Sequence, residues 1–197
     1  MPFRGITFMY KEILDHILRD IVLTAREQDE FASILSEVRL SKKEFLITPG
    51  QAVSSEYYVV SGCLMAYYLD EKGDRHILQF AVEDWWISDF EAFFSGSNSQ
   101  LYVETLEDSV LLEIKKNALE ELYKRIPQFE RFFRIKITGA FVALRSRVLS
   151  SLQKSGRQRY LEFCEAYPKI EKRVPNSHIA NYLGIKPESL SRIRKEL

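Results

Sequence analysis

The sequence predicts an α+β protein, in which a jelly-roll β domain with flanking helices precedes a long helix and a small helical domain. Three observations lead to this prediction. A segment rich in β-branched and aromatic residues begins at Glu44 and is interrupted by glycines at intervals typical of a β-sandwich or barrel. A helical stripe of apolar residues follows Pro127, and the chain ends in a basic segment with helix-turn-helix spacing. We therefore divide the chain into residues 1–126, 127–152 and 153–197.

The composition is that of a globular protein, since 46% of the 197 residues are hydrophobic and 28% are charged. No segment has the length of a membrane span and the N-terminus lacks a signal-peptide pattern, so we expect a cytoplasmic protein. Two distant cysteines and three scattered histidines give no disulfide framework and no metal-ligand cluster. They are Cys63, Cys164, His16, His76 and His178. The sequence therefore predicts no metal, no cofactor and no catalytic residue.

The formal net charge of zero hides an uneven distribution along the chain. Residues 1–130 contain 13 Lys and Arg against 23 Asp and Glu, whereas residues 131–197 contain 15 against 5. A surface that binds a polyanion is therefore expected only in the last third of the chain. The alternative is that basic helices dock on an acidic domain, which predicts that their basic side chains face inward.

Two short helices are predicted before the β domain. One lies near Lys11–Arg19, and the other begins at Thr24, which forms a capping box with Glu27. The β domain is predicted at about residues 40–115. Its turns are marked by Gly50, Gly62 and Gly73. The segment DEKGD, residues 70–74, joins two apolar runs and predicts a hairpin turn.

A long helix is predicted after Pro127, because apolar residues recur there every three or four positions. The stripe consists of Phe133, Ile137, Ala140, Leu144, Val148 and Leu152. It can cover the β domain or form the seam of a homodimer, and we favour the dimer, since helix-turn-helix proteins commonly bind DNA in pairs. The first five of these residues form the predicted dimer interface. The break at Gln153–Gly156 predicts a hinge before the last domain.

The end of the chain has the residue spacing of a helix-turn-helix. Ala180 is small where two helices must cross closely, and Gly184 stands where the turn requires a conformation that glycine adopts at no steric cost. Asn176 or Ser177 is expected to cap the first helix, and Pro187 suits the first turn of the second.

The outward face of the second helix carries polar and charged residues: Lys186, Glu188, Ser189, Ser191, Arg192 and Lys195. Glu188 and Arg192 lie four residues apart and share one side of the helix. A carboxylate there can accept a hydrogen bond from cytosine N4, and a guanidinium can donate two to guanine. The alternative is an ion pair within the helix, worth only ~0.2–0.5 kcal/mol. We interpret this face as a DNA-reading surface.

Three segments carry a resemblance to a known family: LITPGQAVSSEYYVVSGCLMAYYLDEKGDRHILQF, EDWWISDFEAFFSG and IANYLGIKPESLSRIRKEL. They resemble the Crp/Fnr family of bacterial transcription regulators, in particular its short, Bacteroidetes-type members. The resemblance implies a cyclic-nucleotide-binding-like β-roll, a homodimer through the long helix, and RNA polymerase as a partner. It also implies base contacts at Pro187, Glu188 and Arg192 and phosphate contacts at Asn176, Lys186 and Ser189. The predicted DNA-binding set is completed by Ser177, Ser191 and Lys195.

The expected ligand pocket departs from this family. Members that bind cyclic AMP carry a Gly-Glu pair and an Arg-Ser pair, and the matching positions here hold Ser88-Asp89 and Ser99-Gln100. No Lys or Arg occurs between Arg75 and Lys115. A phosphate bound there would meet carboxylates and no cation. We therefore expect no response to cyclic AMP. Aromatic residues either fill the pocket as core or line a site for an apolar effector. The predicted effector set is Phe80, Trp86, Ser88, Asp89, Phe90, Ser99, Gln100 and Tyr102.

Two other classes of function fit parts of the sequence. A cupin-like enzyme would need a metal cluster, a glycine-rich phosphate loop or a nucleophile–base pair, and the sequence contains none of these. A small-molecule sensor or protein-interaction module with a non-functional helix-turn-helix is the other alternative. Many members of the family continue into a β-wing, whereas this chain ends at Leu197. We therefore expect phosphate contacts from elsewhere or a missing wing.

Overall fold

The computed structural model describes residues 10–197. Its helices are α1 (Lys11–Ile17), α2 (Ala25–Ala32), α3 (Phe90–Ser95), α4 (Lys116–Arg125), α5 (Gln128–Gln153), α6 (Gly156–Ala166), α7 (Pro168–Arg173), α8 (Asn176–Leu183) and α9 (Pro187–Lys195). Its strands are β1 (Leu35–Leu40), β2 (Phe45–Ile47), β3 (Ser55–Ser61), β4 (Leu64–Leu69), β5 (Arg75–Ala81), β6 (Trp86–Ile87), β7 (Tyr102–Thr105) and β8 (Ser109–Lys115). Within this range, none of the helices combines the length and the apolar character that a bilayer crossing requires.

The strands form a β-roll of two four-stranded antiparallel sheets, in the orders β1-β8-β3-β6 and β2-β7-β4-β5. Alternate side chains point into the space between the sheets, where Val59, Leu64, Val103 and Leu111 are fully buried. Helices precede and follow this roll, so the predicted α+β architecture is confirmed.

The β-roll confirms one local prediction and corrects one boundary. The β4–β5 hairpin turns at the predicted segment, where Asp70 accepts the amides of Lys72 and Asp74 and Gly73 has φ = 82°. The roll begins at Leu35 rather than near residue 40. Sequence patterning does not reveal β1, because it is an edge strand whose side chains after the first are mostly exposed and not regularly apolar.

The helices α1, α2 and α4 pack on the outer face of the first sheet. The capping box is present at the predicted place, since Thr24 Oγ1 accepts the amide of Glu27 and the Glu27 carboxylate accepts the amide of Thr24. Phe31 of α2 stacks on Phe129 at the start of α5, with ring centroids 4.8 Å apart. This cluster therefore fixes the root of the long helix on the β-roll.

The long helix α5 has a buried root and an exposed continuation. Phe129, Phe132 and Phe133 are buried within the chain. Beyond them, four apolar side chains spaced at intervals of four, three and four positions are 48–63% exposed. We call these residues the α5 seam: Ile137, Phe141, Leu144 and Val148. The structure does not support the prediction that Phe133 belongs to the dimer interface. Its side chain is buried within the chain, with its ring 5.0 Å from that of Trp86, so it is not available to a second chain. Ala140 is exposed beside the seam.

The helices α6 to α9 form a small C-terminal domain that packs against the second sheet. Their buried apolar side chains share one cluster with residues of β4 and β5. Phe80 of β5 contacts Tyr182 of α8, with ring centroids 5.2 Å apart. The break between α5 and α6 lies at the predicted hinge, where Ser155 caps α6 through a capping box with Gln158. The carboxylate of Glu162 also binds Lys154 across this break.

Polar contacts join the C-terminal domain to the roll, among them those of Asn181 and Arg173. Asn181 Oδ1 accepts the amide of Ile77 at 2.8 Å, and the Asn181 amide group donates to the carbonyl of Arg75. Arg173 of α7 binds two carboxylates of the roll, those of Glu83 at 2.8 Å and Glu107 at 2.6 Å. The hydrogen bonds of Asn181 provide partners for backbone groups of β5, which is an edge strand of its sheet.

Candidate nucleic-acid interface

α8, α9 and the turn between them lie at the predicted positions, and the turn explains why residue 184 is glycine. Gly184 has φ = 63°, and its amide donates to the carbonyls of Ala180 and Asn181. A residue with a side chain would be strained in this left-handed conformation. Ala180, Ile185 and Leu190 are buried where the two helices meet.

One face of α9 is turned to solvent. Its exposed residues are Lys186, Pro187, Glu188, Ser191, Arg192 and Lys195, and Ser189 is half-buried. Within residues 10–197, Glu188 and Arg192 form no ion pair with each other or with any other side chain. The intrahelical ion pair that the spacing allows is therefore not formed. Both side chains are available for contacts with a partner molecule.

The two ends of α9 have the charges that a helix dipole favours. Pro187 begins the helix without needing an amide partner, and Glu188 lies in the first turn. Arg192, Arg194 and Lys195 lie in the last turn. Lys186 precedes the helix and makes no capping hydrogen bond, as its residue type predicts.

Arg194 differs from the other basic residues of α9 because it forms hydrogen bonds within the C-terminal domain. Its Nη1 donates to Glu171 Oε1 at 2.8 Å and to Asn176 Oδ1 at 2.6 Å. The predicted capping role of Asn176 or Ser177 is wrong, since Pro175 is the N-cap of α8 and no side chain caps the helix. Asn176 instead ties the first turn of α8 to α9, and Ser177 is exposed beside it.

Some basic residues of the C-terminal third contact the β-roll, and others are exposed to solvent. Arg147 donates to a backbone carbonyl of β5 at 2.8 Å, and Arg173 binds carboxylates of the roll. These two arginines face the acidic domain, as the docking alternative predicts. Lys186, Arg192 and Lys195 are exposed and make no such contact within residues 10–197. Docking therefore accounts for part of the basic charge but not for the charge on α9.

The two residue pairs that stand at the cyclic-nucleotide positions hold the loop around α3 together. Asp89 caps α3, and its Oδ2 accepts from Ser99 Oγ at 2.8 Å and from the Gln100 amide at 3.2 Å. Ser88 Oγ donates to the carbonyl of Ser55 at 2.8 Å. Ser88, Asp89 and Ser99 are buried. Their polar groups are therefore already bonded within the protein.

The aromatic residues of the predicted effector pocket lie in different parts of the structure. Trp86 packs against the buried root of α5, Phe80 packs on the C-terminal domain, and Tyr102 stacks on a neighbouring strand of the roll. Phe90 is half-buried on α3, with its ring 6.4 Å from that of Phe94. These four aromatic residues lie on β5, β6, α3 and β7, so proximity in sequence did not bring their rings together.

Sequence reasoning missed residues that the structure shows to be important. Phe141 could have been found, because it lies four positions after Ile137 and three before Leu144. Asn181 gave no signal, since its partner strand lies 104 residues away in the sequence. Arg173 was counted only as part of the basic charge.

The surroundings of both cysteines raise the pKa values of their thiols. Burial raises the pKa of the Cys63 thiol to about 12, which makes it a poor nucleophile. Cys164 is half-buried, and burial also raises the pKa of its thiol. Within the described range, no group of three or more His, Cys, Asp or Glu side chains is placed to hold a metal ion.

Comparison with known proteins gives concordant similarities. Residues 37–126 match the family model of the cyclic nucleotide-binding domain. The chain is 24% identical over 183 residues to the fumarate and nitrate reduction regulatory protein of Escherichia coli, covering 87% of this chain and 72% of that protein. Electron transport regulator A of Shewanella oneidensis matches with the same identity and coverage.

Solved structures show the same fold. The structure of FixK2 from Bradyrhizobium japonicum superposes with a TM-score of 0.72 at 21% identity, covering 83% of this chain and 84% of that chain. The catabolite activator protein of Thermus thermophilus superposes with a TM-score of 0.57 at 16% identity, covering 92% of this chain and 86% of that chain.

Proposed function

We propose that the chain is a homodimeric transcription regulator of the Crp/Fnr type that binds specific sequences of double-stranded DNA in the cytoplasm. The match of residues 37–126 to the cyclic nucleotide-binding domain and the similarity to transcription regulators support this proposal. The observation that carries this proposal is the free face of α9. Glu188 and Arg192 are exposed there and unpaired within residues 10–197, on the second helix of a helix-turn-helix. RNA polymerase is the proposed protein partner of the DNA-bound form.

The residues of α9 divide between reading bases and binding phosphates. Arg192 is the proposed reader of guanine, because a guanidinium donates two hydrogen bonds to O6 and N7. Glu188 is the proposed acceptor for cytosine N4, and Pro187 offers an apolar contact to a base. Lys186 and Ser189 lie at the start of the helix and are proposed to contact the backbone. Further phosphate contacts are proposed for Ser177, Ser191 and Lys195, and for the amide group of Asn176.

The α5 seam is the proposed dimer interface. Its four apolar residues follow one another at intervals of four, three and four positions, which is the spacing of a coiled-coil seam. They are about half exposed in the single chain, so a second copy of α5 would remove apolar surface from water. Dimers of this kind place two recognition helices about 34–36 Å apart, one turn of DNA.

Cyclic AMP is not the proposed effector. The side chains of Asp89 and Ser99 are bonded to each other, and Ser88 is bonded to the backbone of β3. No Lys or Arg occurs between Arg75 and Lys115, so this loop offers a phosphate no cation. Binding a phosphate beside the Asp89 carboxylate would bring together two negative charges.

Selection of bound fragments from a genomic library, followed by titration at several salt concentrations, tests the proposed function. We expect a small set of enriched fragments and an affinity that falls steeply with salt, because each phosphate contact releases counterions. Arg192→Ala should relax the preference at one base position and cost ~1–3 kcal/mol of binding free energy on the selected site.

Two control variants make this experiment specific. Lys186→Ala should weaken binding to all fragments to a similar extent, since a phosphate contact carries no sequence information. Arg39→Ala removes an exposed arginine from β1, an edge strand of the first sheet, and should change nothing. A fragment profile of Arg192→Ala identical to that of the wild type would contradict the assigned role. No enriched fragment at any salt concentration would favour a sensor or interaction module instead.

A further inference from the structure

A cavity of about 500 Å³ lies between the outer face of the β-roll and the root of α5. It is bounded by α3, α4 and the first three turns of α5, and Ser88, Asp89, Ser99 and Gln100 do not line it. Its aromatic and apolar wall is formed by Phe93, Phe94, Leu119, Tyr123 and Phe133. This volume falls within the range of ~300–1,000 Å³ that small-molecule sites occupy.

Glu56 of β3 lies on the wall of this cavity and is 4% exposed. Its Oε1 is buried and has no hydrogen-bond partner within residues 10–197. A buried carboxylate is costly unless it is paired, so an unpaired one beside a cavity marks a missing partner. Burial raises the pKa of Glu56 to about 8, so the group carries a proton at neutral pH when nothing is bound.

Side chains of both charges line the cavity, and carboxylates lie around Tyr123. The pKa of the Tyr123 hydroxyl is raised by burial and then by three carboxylates, those of Glu56, Glu120 and Glu130. Arg131 and Arg134 also line the cavity, but neither forms an ion pair with Glu56 within the described range. The ammonium group of Lys116 donates a hydrogen bond to the backbone carbonyl of Phe93 at 2.6 Å.

We propose that this cavity binds a small organic cation, with an ammonium group at Glu56 and an aromatic or aliphatic body against Phe93, Leu119 and Phe133. The ammonium donates to the unpaired Oε1, and the aromatic rings offer it their negative faces. Such a ligand would contact α3, α4 and α5 together. An effect of the ligand on DNA affinity rests on the proposed function, whereas its binding does not.

Isothermal titration of the full-length protein with 2-phenylethylammonium chloride tests this site. We expect saturable binding at pH 8.5 and an affinity about tenfold or more weaker at pH 6.5, because the bound form requires the ionised carboxylate of Glu56. At pH 7, binding should release a proton to the buffer. The neutral isostere 2-phenylethanol should bind at least about tenfold more weakly than the ammonium, because it lacks the charge.

The variant Glu56→Gln keeps the size of the side chain and removes the charge. We expect it to lose about tenfold or more in ammonium affinity at pH 8.5 and to lose the pH dependence, while Glu71→Gln in the exposed β4–β5 turn behaves as the wild type. Thermal unfolding should show that both variants are folded. Equal affinities of Glu56→Gln and the wild type, equal binding of 2-phenylethanol, or no binding at millimolar ammonium would each overturn the proposal.

A DNA titration of the same preparations keeps the two proposals apart. If the protein binds DNA but not the ammonium, the proposed cavity site is contradicted and the proposed function still stands. Ammonium binding without DNA binding would support the site and contradict the proposed function.

Discussion

The side chain of Asn181 joins the C-terminal domain to the edge of the β-roll. The substitution Asn181→Ala tests how much this contact contributes to docking of the domain. Asn181 Oδ1 accepts the Ile77 amide at 2.8 Å, and the Asn181 amide group donates to the Arg75 carbonyl. Both backbone groups belong to β5, which has a partner strand on one side only. An intramolecular hydrogen bond contributes ~0.5–1.5 kcal/mol net, so the two contribute ~1–3 kcal/mol to docking of the domain, a factor of ~5–150 in the docking equilibrium.

Hydrogen–deuterium exchange at the Ile77 amide reports this contact directly. In Asn181→Ala we expect exchange of this amide to accelerate by about fivefold or more, because its acceptor is gone and the domain opens more often. Amides that pair β4 with β7 should keep their protection. Asn117→Ala, an exposed position on α4, is the matched control and should leave Ile77 unchanged. Wild-type exchange at Ile77 in Asn181→Ala would refute this account of the docking.

Three further predictions concern the dimer, the turn and the buried carboxyl. Leu144→Glu places a charge in the α5 seam and should give a monomer in sedimentation velocity; an unchanged mass would contradict the proposed seam. Gly184→Ala forces alanine to φ = 63° and should lower the unfolding free energy of the C-terminal domain by ~1 kcal/mol in denaturant titration. Burial raises the pKa of Glu56 from 4.5 to about 8, so the folded state holds a proton that the unfolded chain releases. The stability that Glu56 contributes should therefore fall as pH rises from 4.5 to 8. The unfolding free energy of Glu56→Gln relative to the wild type, measured by denaturant titration, should rise over the same range.

The features that the sequence predicts correctly depend on local chemistry. Thr24 and Glu27 satisfy each other's backbone amides within one helical turn, and Asp70 closes its hairpin within five residues. Gly184 is required by the backbone conformation of its own turn. Such patterns can be read without knowing which distant segment lies nearby. The helix-turn-helix and the hairpin were therefore accessible from the sequence.

The features that sequence reasoning missed depend on contacts between distant segments. Phe133 fits the helical stripe as well as Ile137 does, but Trp86 and the root of α5 bury it. Asn181 binds a strand edge that periodicity does not reveal. Glu56 resembles an ordinary polar strand residue, and its unpaired burial becomes visible only when α4 and α5 cover it.

Selection of DNA fragments by the wild-type protein, followed by alignment of the bound sequences, tests the central claim most directly. A dimer joined along α5 with a free α9 on each chain predicts a two-fold symmetric motif whose half-sites lie about 10 base pairs apart, centre to centre. Recovery of unrelated fragments, or of a single unpaired half-site, would contradict it.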